Sequence, residues 1–524
     1  MPALTSVLDT PDGPQVVVPR DYNAAYDLLE RNLRAGRGAK TAYIDDRGQC
    51  TYAELAERVN RAANALLALG LRMEDRVLVA MHDCIDWPVV FLGAIKAGIV
   101  PIAANTLLTR DDYEFMLRDS RARALVASSA LLPTLQEAAA RSPFLVHLLV
   151  ADDPGPEGLG ARLAQAAPDC EPAPTTADDA CFWLYSSGST GKPKGTVHLH
   201  ASPMQTAELF ARHTLGLRED DVIFSAAKLF FAYGLGNALS FPLAIGATTV
   251  LMAERPTPAA VFQRLRQHQP TVFCGVPTLY ASMLAAAELP AAGDLALRLC
   301  TSAGEALPAD LGRRFAAHFG VDILDGIGST EMLHIFLSNR PGDVRYGTTG
   351  KPVAGYSLRL VDDHGNPVPP GELGELQISG PSSAACYWNN REKSQATFVG
   401  SWTRSGDKYH VDADGYYVYG GRSDDMLKVS GQYVSPFEVE AALASHPAVL
   451  EAAVVGQEDD EGLVKPKAFI VPRQALDDPQ ATADALRMHV KASLTPHKYP
   501  RWIEFVDDLP KTATGKIQRF KLRS

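Results

Sequence analysis

Residues Tyr185–Gly195 read Tyr-Ser-Ser-Gly-Ser-Thr-Gly-Lys-Pro-Lys-Gly and directly follow the apolar run Cys181–Leu184. Glycine lets backbone N–H groups turn towards an anion, while hydroxyl groups add donors and lysines add positive charge. A buried strand followed by such a loop predicts a phosphate site in an α/β protein. The expected phosphate ligands are Ser186, Ser187, Gly188, Ser189, Thr190, Gly191 and Lys192.

Two common nucleotide motifs do not fit this chain. A Walker A loop requires Gly-Lys-Ser/Thr, but Gly191-Lys192 is followed by Pro193. The Gly-x-Gly pairs at 234–236 and 326–328 lack the third glycine of the dinucleotide fingerprint. The remaining alternative is a solvated Ser/Gly turn, which two lysines and four hydroxyl residues make the weaker interpretation.

Composition limits the class of protein. A chain of 524 residues is too long for one ordinary domain, and 46% hydrophobic with 21% charged residues is typical of a globular protein. The net charge of −11 gives no electrostatic basis for binding nucleic acid. Seven scattered cysteines without Cys-x-x-Cys spacing predict reduced thiols in a cytoplasmic protein, and we expect neither a signal peptide nor a membrane span.

The first three-quarters of the chain alternate between helix and strand patterns. The capping box Thr51–Glu54 begins an apolar helical repeat that ends at Gly70. Apolar runs over 77–80 and 99–103 predict buried strands, with a helix over 88–96 between them. Helices of this length between short strands predict an α/β fold in which helices cover mostly parallel sheets.

The pattern changes near Gly420–Asp425, where glycine and charge replace apolar periodicity. We expect a large N-terminal domain over 1–423 and a small α+β C-terminal domain over 424–524, joined by a hinge. The predicted elements of the small domain are a helix at 436–445, strands at 452–455 and 467–471, a helix at 483–494 and a strand at 502–506.

A second glycine-rich segment, Asp325–Glu331, ends in Ser-Thr-Glu. Thr330 could donate to a phosphate oxygen, and Glu331 could hold Mg²⁺, which prefers carboxylate together with substrate phosphates. The alternative is an ordinary helix start with Ser329 or Thr330 as the cap. On these residues alone the helix start is the better interpretation. His198 and His200 lie two residues apart on a predicted strand, and without a third ligand we interpret them as structural or as lining the nucleotide side.

Six segments together resemble the signature elements of the acyl-adenylate-forming superfamily, in the same order, over roughly residues 40 to 520. The superfamily comprises acyl- and aryl-CoA ligases, adenylation domains and luciferases. The segments are Tyr185–Gly195, Ser302–Leu307, Asp325–Glu331, Thr403–Asp407, Gly421–Gly431 with its continuation to Glu440, and Pro510–Lys516.

The resemblance implies roles for individual residues. It makes Thr330, Glu331 and Lys516 catalytic, with Glu331 also the Mg²⁺ ligand and Asp424 the hinge. Thr403 stands where the family has Tyr, a departure that leaves Asp407 intact. The adenine and ribose group is Gly304, Glu305, Ala306, Asp325, Gly326, Asp407 and Arg422, and the group for the thiol step is Lys428, Ser430 and Gly431.

The resemblance also implies a reaction. A carboxylate attacks ATP to give an acyl-adenylate and pyrophosphate, and the thiol of coenzyme A then displaces AMP. The expected cofactors are therefore ATP and Mg²⁺, and coenzyme A is the expected second substrate. Lys516 would neutralise charge in the first step and withdraw before the second. Acetylation would remove that charge, so a lysine acetyltransferase is a candidate partner; a homodimer is a candidate assembly.

The acid is predicted from two further segments. Many relatives have His where this chain has Phe231, and the aromatic and small residues around it predict a flat apolar slot, with core packing as the alternative. Apart from Lys228, no spare cation in these segments marks a second carboxylate on the substrate. The expected lining is Phe231, Ala232, Tyr233, Gly234, Gly328, His334 and Ile335.

These segments are most similar to those of benzoate–CoA ligases, so we expect benzoate as the acid. The alternatives are another small aryl acid such as 4-hydroxybenzoate, an adenylation enzyme that loads a carrier-protein phosphopantetheine, and a non-catalytic nucleotide-binding regulator on the same fold.

Overall fold

A computed structural model of the chain describes residues 3–11, 13–188, 191–423, 425–429, 432–460, 463–495, 498–511 and 517–523. Its helices are α1 (Ala24–Arg34), α2 (Tyr52–Ala68), α3 (Asp86–Lys96), α4 (Arg110–Ser120), α5 (Leu132–Arg141), α6 (Leu159–Gln165), α7 (Ser202–Thr206), α8 (Ala232–Leu235), α9 (Phe241–Ile245), α10 (Pro258–His268), α11 (Pro277–Leu284), α12 (Ala309–Phe319), α13 (Arg391–Thr397), α14 (Pro436–Ala444) and α15 (Pro479–Ser493). Two π-helical turns, Ala207–Arg212 and Gly236–Ser240, continue α7 and α8, and 3₁₀ turns lie at Ser129–Leu131, Ala292–Asp294 and Arg519–Lys521.

The strands of the N-terminal half are β1 (Ser6–Thr10), β2 (Gly13–Val17), β3 (Thr41–Asp45), β4 (Gly48–Thr51), β5 (Arg76–Ala80), β6 (Val100–Ala103), β7 (Ala124–Ala127), β8 (His147–Val150), β9 (Ala180–Gly188), β10 (Gly191–Leu199), β11 (Val222–Ser225), β12 (Thr248–Val250), β13 (Val272–Gly275) and β14 (Leu299–Ser302). Those that follow are β15 (Ile323–Gly328), β16 (Ile335–Ser338), β17 (Lys351–Pro352), β18 (Ser357–Val361), β19 (Gly374–Ser379), β20 (Cys386–Tyr387), β21 (Phe398–Val399), β22 (Trp402–Val411), β23 (Tyr417–Arg422), β24 (Leu427–Val429), β25 (Gln432–Val434), β26 (Val449–Glu458), β27 (Val464–Pro472) and β28 (Trp502–Phe505).

Two large sheets form the N-terminal part. One has the order β20-β10-β9-β6-β5-β7-β8 and the other β17-β16-β15-β14-β13-β11-β12-β3-β4. In the first sheet, every neighbouring pair from β9 to β8 along this order is parallel. In the second, every neighbouring pair from β15 to β3 is parallel. Antiparallel strands lie at the edges of both sheets. The predicted α/β class with mostly parallel sheets is therefore confirmed.

Helix α2 begins as its sequence predicts. The Thr51 side chain accepts a hydrogen bond from the backbone of Glu54, and the Glu54 carboxylate accepts one from the backbone of Thr51. The apolar face of α2 buries Leu55, Val59 and Leu66 against α1 and α3 in the main hydrophobic core.

A third sheet differs from the other two because it is entirely antiparallel. Its order is β18-β19-β22-β21, and β23 pairs with β22. The hairpin β22–β23 places Asp407 directly opposite Arg422.

The C-terminal part contains an α+β unit with the sheet order β26-β27-β28, packed against α14 and α15. The five elements predicted there are all present, although β26 and β27 are longer because they pair along their whole length. The hairpin β24–β25 precedes them and was not predicted. Asp424 lies outside the described residues, so the boundary at 423/424 stays a prediction.

All seven cysteines are described and free. Within the described part of the chain, no helix is both long and apolar enough to cross a membrane.

Candidate active site

Three of the predicted segments, one for the acid and two for the nucleotide, lie at the carboxyl edge of the nine-stranded sheet. Carboxyl ends of neighbouring parallel strands open onto the same edge, which is where α/β sheets bind ligands. The segment 228–236 follows β11, the turn 303–307 follows β14, and Ser329–Glu331 follows β15. Strands β14 and β15 are adjacent, with Ser302 opposite Asp325.

The phosphate segment is a β-hairpin in the structure. Strand β9 continues through Ser186 to Gly188, and β10 begins at Gly191, which lies opposite Gly188. The predicted loop is therefore shorter than expected, because the ladder reaches its glycines. Ser189, Thr190 and the side chain of Ser187 lie outside the described residues. The hydroxyl of Ser186 is buried and has no hydrogen-bond partner within the described residues.

Both lysines of this hairpin lie over aromatic rings. The ammonium of Lys192 is 5.2 Å from the ring centre of Phe115, and that of Lys194 is 4.5 Å from the ring centre of Tyr387. Burial lowers the pKa of Lys194, while the charge of Glu331 opposes that shift. The hairpin therefore presents positive charge next to Glu331.

Thr330 and Glu331 occupy a turn between β15 and β16, so the helix-start interpretation is wrong. The turn is closed by hydrogen bonds from the backbone N–H of Met332 to the carbonyl of Ser329 and from that of Leu333 to Thr330. A helix cannot begin here because strand β16 follows at Ile335. Leu333 has a φ of 66°, a left-handed conformation that is rare for a residue with a side chain.

Three neighbours hold this turn. His198 Nε2 lies 2.8 Å from the carbonyl oxygen of Thr330, and the backbone N–H of Ala384 donates to the carbonyl of Glu331 at 2.8 Å. The hydroxyl of Tyr387 donates to Oε1 of Glu331 at 2.6 Å. Burial first, and then the charge of Glu331, raise the pKa of Tyr387, so its hydroxyl keeps its proton. Sequence reasoning missed Tyr387.

The two neighbouring histidines are structural in their contacts. Burial lowers the pKa of His198 and of His200 to about 4. A neutral His198 therefore donates through Nε2 to Thr330, while its ring stacks on Phe182 at 5.3 Å. Nδ1 of His200 accepts from the backbone of Ala24 at the start of α1.

The residues around Glu331 fit Mg²⁺ as a companion of ATP. In the described part of the chain no three His, Cys, Asp or Glu side chains cluster as a metal site. Mg²⁺ is commonly held by one or two carboxylates together with substrate phosphates, and Glu331 next to the phosphate hairpin provides one such carboxylate.

The predicted adenine and ribose residues form two groups. Asp407 Oδ1 and Arg422 Nη1 are 3.4 Å apart across the β22–β23 hairpin, where Gly406 has a φ of 73°. On the sheet edge, Gly304, Glu305 and Ala306 form the turn after β14, and Gly304 has a φ of 93°. Asp325 precedes Gly326 on β15; burial raises its pKa well above the ordinary value, and the backbone N–H groups of Leu307 and Gly326 offset this only in part.

The predicted acid pocket gathers aromatic rings. Phe231 precedes α8 and lies against Phe230 at 4.5 Å between ring centres. The Tyr233 hydroxyl is 2.7 Å from Oγ1 of Thr301, and His334 Nε2 is 3.2 Å from the carbonyl oxygen of Tyr233. Burial lowers the pKa of His334 to about 3, so its ring is neutral.

The close approach of these walls requires glycine at three positions. A Cβ at Gly234 would lie 2.0 Å from the carbonyl oxygen of Lys228, and one at Gly328 would lie 2.6 Å from that of His334. A Cβ at Gly236 would lie 2.3 Å from Cδ2 of His334. Ala232 is half-buried and Ile335 is fully buried. Any side chain at the three glycines would move the lining residues.

Lys228 is already engaged with the protein. Its ammonium donates to the carbonyl oxygens of Met252 and Glu254, and buried Asp83 lies nearby. Two backbone carbonyls and a buried carboxylate therefore account for its charge. This arrangement argues against a second carboxylate on the substrate.

The C-terminal residues are described only in part. Strand β24 includes Lys428, whose side chain lies outside the described residues, as do Ser430, Gly431, Asp424 and Lys516. Arg519 pairs with Glu440 on α14 at 2.7 Å and with Asp425 at 3.5 Å. These ion pairs join the end of the chain to the segment that follows β23.

Family models match most of the chain. A model described as AMP-binding enzyme matches residues 29–388, and one described as AMP-binding enzyme C-terminal domain matches residues 438–516.

Known proteins and solved structures are similar to this chain along nearly its whole length. The chain is 67% identical to a benzoate–CoA ligase of Thauera aromatica, over 98% of this chain and 97% of that protein. It is 55% identical to a 4-hydroxybenzoate–CoA/benzoate–CoA ligase of Rhodopseudomonas palustris, over 96% of this chain and 94% of that one. A crystal structure of a benzoate CoA ligase from Burkholderia xenovorans LB400 matches with a TM-score of 0.90 and 58% identity, over 96% of this chain and 100% of that chain.

Proposed function

We propose, from the premise that the chain belongs to the family of AMP-binding enzymes, that it ligates benzoate to coenzyme A with ATP. The reaction proceeds through benzoyl-adenylate and releases AMP and pyrophosphate. The observation that carries this proposal is the similarity, along nearly the whole length, to enzymes that are benzoate–CoA ligases.

The chemistry of the acid side supports a small aromatic monocarboxylate. Phe231, Tyr233 and His334 offer aromatic faces, and the neutral His334 adds no charge to the slot. The nearby cation Lys228 is held by backbone carbonyls and by the charge of Asp83. A flat apolar ring with a single carboxylate fits these walls better than a diacid does.

The nucleotide side supports adenylation. In the first step the benzoate oxygen attacks the α-phosphorus and pyrophosphate leaves, so negative charge develops on the phosphoryl oxygens. Hydroxyl and ammonium groups of the phosphate hairpin, Thr330 and Lys516 would stabilise that charge. Glu331 would hold Mg²⁺, which supplies further neutralisation of the phosphates when it is bound.

The mobile part of the mechanism is also a proposal. The N-terminal domain ends at 423, Asp424 is the hinge, and the domain over 424–524 brings Lys516 to the adenylation step. Rotation about the hinge would then bring Lys428, Ser430 and Gly431 to the thiol step. A lysine acetyltransferase acting on Lys516, a homodimer and a cytoplasmic location complete the proposal; mass spectrometry, light scattering and fractionation of the native protein test them.

The test is product formation from purified protein. With benzoate, ATP, Mg²⁺ and free coenzyme A, we expect pyrophosphate release that depends on benzoate and benzoyl-CoA identified by mass spectrometry. Parallel reactions with 4-hydroxybenzoate and straight-chain acids measure the preference for the acid as kcat/KM.

Each alternative gives a different result. Adenylate without thioester, together with loading of a carrier-protein phosphopantetheine, would identify a carrier-loading enzyme. A higher kcat/KM for 4-hydroxybenzoate would change the assigned acid. Nucleotide binding without any pyrophosphate release would identify a regulator and overturn the proposal.

A further inference from the structure

We propose that Tyr387 is a positioning residue for the divalent cation that accompanies ATP. Its hydroxyl holds one oxygen of the Glu331 carboxylate, so that the other oxygen faces the metal. The inference rests on the proposed function in one respect, which is that a metal complex of ATP is the nucleotide substrate.

The contact is short and partly buried. The hydroxyl of Tyr387 donates to Oε1 of Glu331 at 2.6 Å, and Tyr387 is only 3% exposed. A carboxylate held through one oxygen loses rotational freedom about its terminal torsion, and its remaining oxygen keeps lone pairs for a cation. Hydrogen-bond partners of this kind orient metal ligands, and their loss typically weakens metal binding.

The ring of Tyr387 is fixed by the phosphate hairpin. Strand β20 pairs with β10, with Tyr387 opposite Thr196, and the ring packs on Phe398 at 5.3 Å between centres. The ammonium of Lys194 lies 4.5 Å from the centre of the same ring. One side chain therefore contacts the phosphate segment through its ring and Glu331 through its hydroxyl.

This geometry couples two groups that must contact the same triphosphate. If the hydrogen bond is lost, Glu331 remains in its turn, because its backbone carbonyl still accepts from Ala384. Only the direction of the carboxylate is freed. The expected defect is thus in metal affinity, with little change in folding or in benzoate binding.

The test is the variant Tyr387→Phe, which keeps the ring and removes the hydroxyl. Mn²⁺ binding to the complex of protein and ATP, without benzoate, is measured by water proton relaxation. We expect roughly tenfold weaker Mn²⁺ binding, as is typical when the partner of a metal ligand is removed. In the adenylation assay, the Mg²⁺ concentration at half-maximal rate should rise by a similar factor while the KM for benzoate stays unchanged.

The matched control is Tyr52→Phe. The hydroxyl of Tyr52 is also buried and donates to the carbonyl oxygen of Ala247 at 2.6 Å. Tyr52 is the first residue of α2 and is not one of the predicted site residues. Thermal unfolding without metal and nucleotide shows whether each variant is folded. Should Tyr387→Phe not fold, Phe398→Leu takes its place, since it loosens the ring and should weaken Mn²⁺ binding to a smaller extent.

The inference is overturned if wild type and Tyr387→Phe bind Mn²⁺ with equal affinity. It is also overturned if Tyr52→Phe loses as much Mn²⁺ affinity as Tyr387→Phe does. Where Phe398→Leu replaces Tyr387→Phe, unchanged Mn²⁺ binding has the same meaning. A wild type that binds Mn²⁺ and ATP but makes no benzoyl-CoA would instead overturn the proposed function, and the two failures are therefore distinguishable.

Discussion

Among single residues, Lys516 has the most selective predicted effect. We expect Lys516→Ala to abolish benzoate-dependent pyrophosphate release, because in the proposed mechanism its ammonium neutralises charge in the adenylation step. The same variant should still convert preformed benzoyl-adenylate and coenzyme A into benzoyl-CoA. Measuring the two half-reactions separately tests this, and an equal loss of both would contradict the assigned role.

Gly236 is the residue at which one added carbon atom should change acid binding. Its Cβ would lie 2.3 Å from Cδ2 of His334 and 2.9 Å from Phe241, so Gly236→Ala must displace the His334 ring. We expect the KM for benzoate to rise roughly tenfold or more while the KM for ATP stays unchanged, since small misplacements have large kinetic effects.

The control for Gly236→Ala is Gly160→Ala on α6, because a Cβ at Gly160 meets no atom within 4 Å. Steady-state kinetics of both variants with benzoate and ATP provide the comparison. An unchanged KM for benzoate in Gly236→Ala would show that His334 does not line the acid site.

Among the elements, helix α2 depends on its first turn. Thr51→Ala removes the hydroxyl that accepts from Glu54 and should lower the free energy of unfolding by about 1 kcal/mol. Thr51→Ser keeps the acceptor and should lose much less. Urea unfolding of the three proteins measures the difference, and equal midpoints would show that the capping box adds no stability.

The elements also show how far sequence reasoning extends. The elements α2, β5 and α3 follow from residues close in sequence, such as the Thr51–Glu54 box, and these elements are confirmed, although α3 begins at Asp86, two residues before its predicted start. The antiparallel third sheet lies outside these predictions, because its β19–β22 pairing, with Gly374 opposite Tyr409, joins residues distant in sequence. The hairpin β24–β25 is also absent from the predictions.

The candidate site divides in the same way. Glycines and acidic residues of Asp325–Glu331 and Thr403–Asp407 stand out in the sequence. Tyr387 does not, because it lies 56 positions after Glu331 and no local pattern indicates the contact. The periodicity of the sequence also does not predict that a strand, β16, and not a helix follows Glu331.

For the whole molecule, buried neutral histidines predict sensitivity to acid. Burial lowers the pKa of His200 to about 4, whereas in the unfolded chain it is near 6.5. Between these pH values the unfolded chain binds a proton that the folded chain does not. The contribution of His200 to the free energy of unfolding is therefore fully present above pH 6.5. It falls as the pH is lowered towards 4, by up to about 1.4 kcal/mol per pH unit.

The variant His200→Asn tests this pH dependence, since the amide oxygen can still accept from the backbone of Ala24. Its urea midpoint should fall less steeply than that of wild type between pH 6.5 and 4. The exposed His364 provides the control variant His364→Asn, which should follow the wild-type curve. Parallel curves for wild type and His200→Asn would contradict the prediction.

The turn that joins β15 to β16 sets a limit on how this enzyme can diversify. Glu331 and His334 are only three residues apart, and the left-handed Leu333 between them leaves little freedom to move one without the other. Substitutions that reshape the proposed acid site from this side would also disturb the proposed nucleotide site. New acid preferences should therefore arise more readily through Phe231–Tyr233, which follow a different strand, and a library randomised there should retain more adenylating variants than one randomised at 332–335.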